Sequence, residues 1–197
     1  MVIKENVIRY FDRLAPVWDA GLVRNDEVIS LILDNAQVTA GKDVLDVACG
    51  TGVLIPDYLQ RKVSSVTGVD ISPGMAEIAR SKFPQPEVSV ICGDAMEIQP
   101  GRTFGCIVIY NALPHFQDPE RLISHLTTLL EPGGTLTAAH GMCREKINSR
   151  HQGIEEYVSS GLMPTDELAK IFGKFLKVTT VISDERMYQA AGRKSAM

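Results

Sequence analysis

Nine residues, Val44-Leu45-Asp46-Val47-Ala48-Cys49-Gly50-Thr51-Gly52, constrain this chain more than any other stretch. Four of the first five are apolar, and Gly41-Lys42-Asp43 ahead of them is turn chemistry. A short apolar run bounded in this way predicts a strand buried on both faces, as in a parallel sheet. Gly-Thr-Gly then opens a helical pattern from Val53 through Leu54, Tyr58 and Leu59. Glycine lets backbone approach a ligand because no Cβ intrudes, and the helix start beyond it offers unpaired N–H groups. The stretch therefore predicts a ligand site at the C-terminal end of a parallel strand.

A dinucleotide fingerprint would need a third glycine three residues after the second, and Ile55 stands there. The pattern present is acidic-x-small-x-Gly-x-Gly, carried by Asp46, Ala48, Gly50 and Gly52 with Cys49 between them. This closely resembles motif I of the class I S-adenosylmethionine (SAM)-dependent methyltransferases. The resemblance implies a Rossmann-like, doubly wound α/β fold of three layers. Its seven-stranded sheet would be mostly parallel, with an antiparallel final strand, and SAM would be the cofactor.

A chain of 197 residues suits one such domain, 1–197, with a small cover. A net charge of −4 argues against a broad nucleic-acid footprint. The four cysteines, Cys49, Cys92, Cys106 and Cys143, are scattered, which reads as reduced, cytoplasmic usage. Neither a signal-peptide pattern nor an apolar run long enough for a membrane span is visible.

The motifs follow one another along the chain. Residues 2–19 show helical spacing that Pro16 should break. Phe11-Asp12-Arg13-Leu14-Ala15-Pro16-Val17-Trp18-Asp19 resembles the leading signature of quinone-methylating enzymes. That resemblance implies an aromatic residue folded over SAM, Trp18 or Tyr10; the plain alternative for Trp18 is packing of the leading helix on the sheet. A second helix is expected over Asp26–Ala36, with Asp26 as a candidate cap. Ser65–Asp70 reads as the second strand, and a carboxylate at its end, Asp70, can accept from two vicinal ribose hydroxyls. Ser72 and Pro73 open the next helix, where Ile71 and Met75 are placed to flank the adenine, although a methionine there also fits plain core.

Val88–Cys92 reads as the third strand, and Gly93-Asp94-Ala95-Met96 after it resembles motif II. The resemblance implies that Asp94 receives the adenine amino group. Phe104–Tyr110 is the apolar fourth strand, ending in Asn111-Ala112-Leu113-Pro114-His115-Phe116, which resembles motif IV. Asn111 would then lie near the methionine part of SAM and His115 near the transferred methyl. Asp118 starts a helix running to Pro132-Gly133-Gly134, and Thr135–Ala139 is expected as the fifth strand. The least regular stretch, 141–163, contains Gly141, Gly153 and Gly161; with 1–22 it forms the expected cover. A helix from Thr165 and two strands, Phe175–Ile182 and Met187–Ala191, close the chain.

His115 follows the fourth strand, and an imidazole ordinarily titrates near neutrality, so it is the candidate general base. The alternative is a loop histidine that shapes the pocket. His140 ends the fifth strand and His151 follows in the irregular segment; both are candidates for the substrate side. With Cys143 they raise the idea of an ion site, but His-x2-Cys-x7-His is not a recognised ligand spacing. No metal is therefore assigned. Arg144, Lys146, Arg150 and His151 form a basic cluster that reads as solvated surface.

Motif IV, Asn-Ala-Leu-Pro, lacks the second proline and the aromatic with which nucleic-acid amino-methyltransferases grip a flipped base, and the chain lacks the acid cluster of metal-dependent catechol enzymes. The fold takes up nearly all of the chain, which suits a small-molecule methyl acceptor. Methylation of protein or RNA and a non-catalytic SAM-binding sensor or partner protein are the alternatives. Acceptor identity and homodimer formation are left open.

Overall fold

The computed structural model describes residues 2–152 and 157–196. A helix, α1 (Lys4–Leu14), leads into two 3-10 turns, Ala15–Val17 and Asp19–Gly21. Pro16 sits in the opening of the first turn, where a missing N–H costs least. Then come α2 (Asp26–Asn35), β1 (Asp43–Val47), α3 (Ile55–Gln60), β2 (Ser65–Asp70), α4 (Pro73–Lys82), β3 (Val88–Cys92) and β4 (Phe104–Tyr110). The chain continues through α5 (Pro119–Thr128), β5 (Leu130–His140), α6 (Arg144–His151), α7 (Thr165–Gly173), β6 (Lys177–Ser183) and β7 (Tyr188–Arg193).

The seven strands form one sheet in the order β3-β2-β1-β4-β5-β7-β6. β1 pairs in parallel with both β2 and β4, whereas β7 runs antiparallel between β5 and β6. Chain order reverses between β1 and β4, and a crevice opens there at the carboxyl ends of the strands. One face of the sheet buries Val44, Val66, Cys106 and Val108 against α2 and α3, where Leu33, Leu54 and Tyr58 are fully enclosed. The other face packs Leu45, Ile107 and Leu136 against Leu122 and Leu126 of α5 and Phe172 of α7. This double burial is why β4 reads as an apolar run and β1, from Val44, as one interrupted only by Asp46.

Some boundaries differ from the sequence reading. α2 is capped by Asn25, whose Oδ1 accepts the Val28 N–H at 3.2 Å, and Asp26 is instead its first residue. β5 begins at Leu130 rather than Thr135. Pairing with β4 starts at Phe104–Leu130, then shifts register before Cys106–Thr135, so the Pro-Gly-Gly segment is bulged into the strand. The stretch 141–163 contains a true helix, α6, though residues 153–156, Gly153 among them, lie outside the described part. The leading helix packs across the mouth of the crevice: Val7 meets Val158, with Tyr10, Phe11 and Ile71 alongside.

Candidate functional site

The carboxyl ends of β1 to β5 and the two covering segments surround one cavity of about 1410 Å³. The β1 end contributes Asp46, Ala48, Cys49 and Gly50. Ala48 and Gly50 take left-handed backbone angles, φ 55° and 57°, which turn the chain sharply out of the strand. A Cβ built on Gly50 meets nothing within 4 Å, so a side chain there would project into open space. Cys49 packs its Sγ where Gly68 leaves room, and burial drives that thiol well above its ordinary pKa. Gly52 is the exception among the expected residues, because it does not line this cavity. With φ 84°, it leaves room for Phe83 and Ile55, whose atoms a Cβ would meet at 2.5 and 2.9 Å. Its contribution is the shape of the bend.

The three strand-end carboxylates differ in their surroundings. Asp46 is 2 % exposed, and burial, with the negative charges of Asp70 and Asp57 adding, pushes it up to about 8. Asp70 is 7 % exposed and ties two loops together: Oδ2 accepts the Gly50 N–H at 2.7 Å and Oδ1 the Ser72 N–H at 2.9 Å. Burial raises its pKa, while the two backbone N–H groups act against that rise. Each oxygen keeps a lone pair for a further donor. Asp94 accepts the Met96 N–H at 2.9 Å through Oδ1, and its Oδ2 lies 2.7 Å from Lys4 Nζ.

Around these acids the cavity is lined by Ile71, Met75, Ala95 and Met96, and on the leading segment by Tyr10 and Trp18. Ser72 caps α4 through the Met75 N–H at 3.1 Å, with Pro73 at the first helical position. At the β4 end Asn111 adopts φ 54°, and its Oδ1 accepts the Gly141 N–H at 3.0 Å, joining β4 to the turn after β5.

His115, His140 and His151 all line the same cavity. His115 Nδ1 lies 2.9 Å from the Val158 carbonyl oxygen. A carbonyl only accepts, so Nδ1 carries the hydrogen and Nε2 presents its lone pair. Phe11 meets the ring edge-on at 5.0 Å between centroids, and the His151 ring lies at 5.2 Å. Burial moves His115 down to about 4, away from the neutral titration expected of a free imidazole. His151 Nδ1 is 2.7 Å from Ser159 Oγ, and burial lowers this imidazole too. His140 is 1 % exposed with neither ring nitrogen partnered, and burial takes it down to about 3. Cys143 is buried outside the lining, and among the described residues no group of three His, Cys, Asp or Glu is placed to hold a metal ion. The basic cluster is split: Arg144 donates to the Leu162 carbonyl at 2.8 Å, whereas Arg150 reaches the cavity wall.

Sequence reasoning passed over four polar residues that secure the cover. Asp12 Oδ1 accepts the Ser72 hydroxyl at 2.5 Å and the Gly74 N–H at 2.9 Å. Asp19 accepts the Thr51 hydroxyl at 2.6 Å and pairs with Lys82 at 2.7 Å. Lys4 reaches Asp94, and Arg24 binds Asp57 and the Val53 carbonyl. A charged residue on an amphipathic helix carries no periodic signal of its partner, so only Asp12 and Asp19, inside the leading signature, were open to suspicion.

Residues 44–134 match the family described as "Methyltransferase domain". The ubiquinone biosynthesis O-methyltransferase of Coxiella burnetii is 30 % identical over 142 residues, 68 % of this chain and 60 % of its own length. The malonyl-[acyl-carrier protein] O-methyltransferase of Acetivibrio thermocellus is 29 % identical over 139 residues, 69 % of this chain and 49 % of its own. The chain thus spans about half to three fifths of the length of these curated relatives. Among solved structures, the N-methyltransferase NodS of Bradyrhizobium japonicum, bound to S-adenosyl-L-homocysteine (SAH), superposes with a TM-score of 0.73. It is 17 % identical, with 96 % of this chain and 98 % of that one covered, a likeness of fold.

Proposed function

The chain belongs to the class I SAM-dependent methyltransferases, and from that premise we propose that it methylates a small-molecule acceptor. SAM is the cofactor, and when bound it supplies an electrophilic methyl on a sulfonium. The residues present fit it. The space over Gly50 is one a Cβ would occupy, and Asp70 holds spare acceptor capacity deep in the same cavity. Asp46 and Gly50 take the methionine end, with Ala48 and Cys49 forming the turn and Gly52 shaping it. Asp70 accepts from the ribose hydroxyls, Asp94 and Ala95 meet the adenine edge, and Ile71, Met75 and Met96 flank its faces. Tyr10 and Trp18 cover the nucleoside, and Asn111 stands by the methionine part.

Residues 1–197 act as one domain in this reading, with 1–22 and 141–163 as the cover over both ligands. His115, held uncharged with Nε2 open, accepts the hydrogen of the acceptor's nucleophile and aligns it. Alignment is the main demand of an in-line displacement at an already activated carbon. At about 4, its basicity suits orientation better than storing a proton at neutral pH. His140 and His151 line the acceptor side.

The observation that carries the proposal is the convergence of Asp46, Asp70 and Asp94 with the open Gly50 bend on one cavity. Calorimetry with SAH tests the cofactor half, and uptake with one site per chain is expected. Incubation with methyl-labelled SAM and separate pools of metabolites, protein and RNA tests the other half. Label should enter the metabolite pool. Label in protein or RNA alone, or SAH uptake without turnover on any pool, would overturn the small-molecule reading.

A further inference from the structure

We infer that the acceptor carries two uncharged hydrogen-bonding groups and that His140 reads the second of them, the first lying at His115. This rests on the methyltransferase reading and narrows its substrate.

Both nitrogens of His140 are buried without a partner, yet the residue lines the cavity. Native interiors leave few such groups, because the protein loses the hydrogen bonds that water would have made. A donor and an acceptor buried without a partner on one ring, in a residue that lines the cavity, are accounted for when a ligand enters against the ring and brings complementary atoms. The ring is also held in place. His140 and Tyr188 are cross-strand partners of β5 and β7, and the phenol ring meets the imidazole edge-on at 5.9 Å.

The chemistry of the neighbours limits what can enter. His115 and His151 are close enough that a charge on either would act on His140. No carboxylate is among the groups that act on the three imidazoles, although Asp118 and Glu120 line the same cavity. An ammonium would find no counter-charge beside these rings, whereas a hydroxyl satisfies a neutral imidazole whichever nitrogen carries its hydrogen. Phe11, Phe116, Met142 and Ile147 supply apolar walls for the carbon skeleton between the two polar groups.

The test uses SAH-loaded protein, phenol and benzylamine as one-group probes, and the three dihydroxybenzene isomers as two-group probes. At least one dihydroxybenzene should bind roughly tenfold tighter than phenol. It should move the imidazole 15N signals of His115 and His140 but leave those of His125 on α5, whose Nε2 lies 3.2 Å from the Ile98 carbonyl oxygen. In His140→Phe that preference should vanish while SAH affinity stays within about twofold, because the loss is confined to one hydrogen-bonding group. His140→Gln, which keeps a donor and an acceptor, should restore part of it. The inference falls if no dihydroxybenzene outbinds phenol, or if His140→Phe keeps the preference. It also falls if His140 signals stay still because a trapped water is their partner, or if benzylamine binds as well as the diols. Those results with SAH uptake intact leave the methyltransferase reading standing, whereas absent SAH uptake removes both.

Discussion

Lys4 Nζ sits 2.7 Å from Asp94 Oδ2, which ties the first turn of α1 to the loop after β3. The lysine is 44 % exposed and the carboxylate 15 %, so the pair adds at most about 1 kcal/mol to folding. Its consequence lies in the cover. In the proposed reading Asp94 meets the adenine, so an entering or leaving nucleoside competes with Lys4 for that carboxylate. Lys4→Met is expected to leave the melting temperature within a few degrees and to speed SAH release about threefold. Stopped-flow fluorescence of Trp18, the one tryptophan of the chain, reads the rate. Release from the wild type should quicken with added salt and release from the variant should not. Identical salt dependence in both would remove the role of the pair.

Asp70 gives a different expectation, because it accepts from a buried Ser72 N–H and a half-buried Gly50 N–H. Asp70→Ala strands the buried Ser72 donor, at roughly 1–3 kcal/mol, and leaves the half-buried Gly50 N–H to partial hydration at about 1 kcal/mol. Urea unfolding should show a loss of about 2–4 kcal/mol, and SAH uptake should disappear. Asp70→Asn keeps one acceptor oxygen, so it should recover part of the stability while binding SAH at least tenfold more weakly. Uptake by the folded Asp70→Ala variant at wild-type affinity would exclude any contact with the nucleoside.

The parts of this architecture that were legible in the sequence are those with a period or a forced backbone. β1 and β4 are buried on both faces, so their apolar runs could not be mistaken for half-exposed strands. Ser72-Pro73 and Asp118-Pro119 announced helix starts because cap chemistry is local. What stayed hidden was non-local. The early start of β5 depends on a bulge that the sheet imposes on Pro132-Gly133-Gly134, against the turn preference of those residues. The ties made by Asp12 and Asp19 exist only once the leading segment crosses α4 and the glycine bend. The low basicity of His115 follows from burial under Phe11 and the Val158 segment, which no spacing rule encodes.

The two glycines of the bend should respond differently to a methyl group. Gly50 has left-handed backbone but open space, so Gly50→Ala carries only strain, about 1–2 kcal/mol. The new Cβ enters the cavity, and SAH affinity should fall at least tenfold. Gly52→Ala adds a clash with the Phe83 ring to the same strain and should cost about 3 kcal/mol or more in unfolding experiments. Its folded fraction should lose less SAH affinity than Gly50→Ala. Paired calorimetry and urea titrations read both quantities, and a reversed order would contradict the assignment of Gly50 to the cavity and Gly52 to the fold.

Asp46 makes the stability of the ligand-free protein depend on pH in a direction opposite to most carboxylates. Its folded value of about 8 exceeds the ordinary 3.8, so between these limits the folded chain holds a proton that the unfolded chain has lost. The contribution is therefore complete below about 3.8 and is lost as pH rises through about 8. Asp46→Asn mimics the protonated form and has no such loss. Urea unfolding from pH 5 to 7.5 should show the variant gaining on the wild type by roughly 1.4 kcal/mol per pH unit, levelling off near the folded value. In the proposed reading the ammonium of the cofactor lies by Asp46 and favours the ionised carboxylate, so binding at pH 7 should expel the proton. Calorimetry of SAH binding in buffers of different ionisation enthalpy will then give buffer-dependent heats for the wild type and buffer-independent heats for Asp46→Asn. A constant stability difference across this pH range would show that Asp46 is ionised in the folded protein.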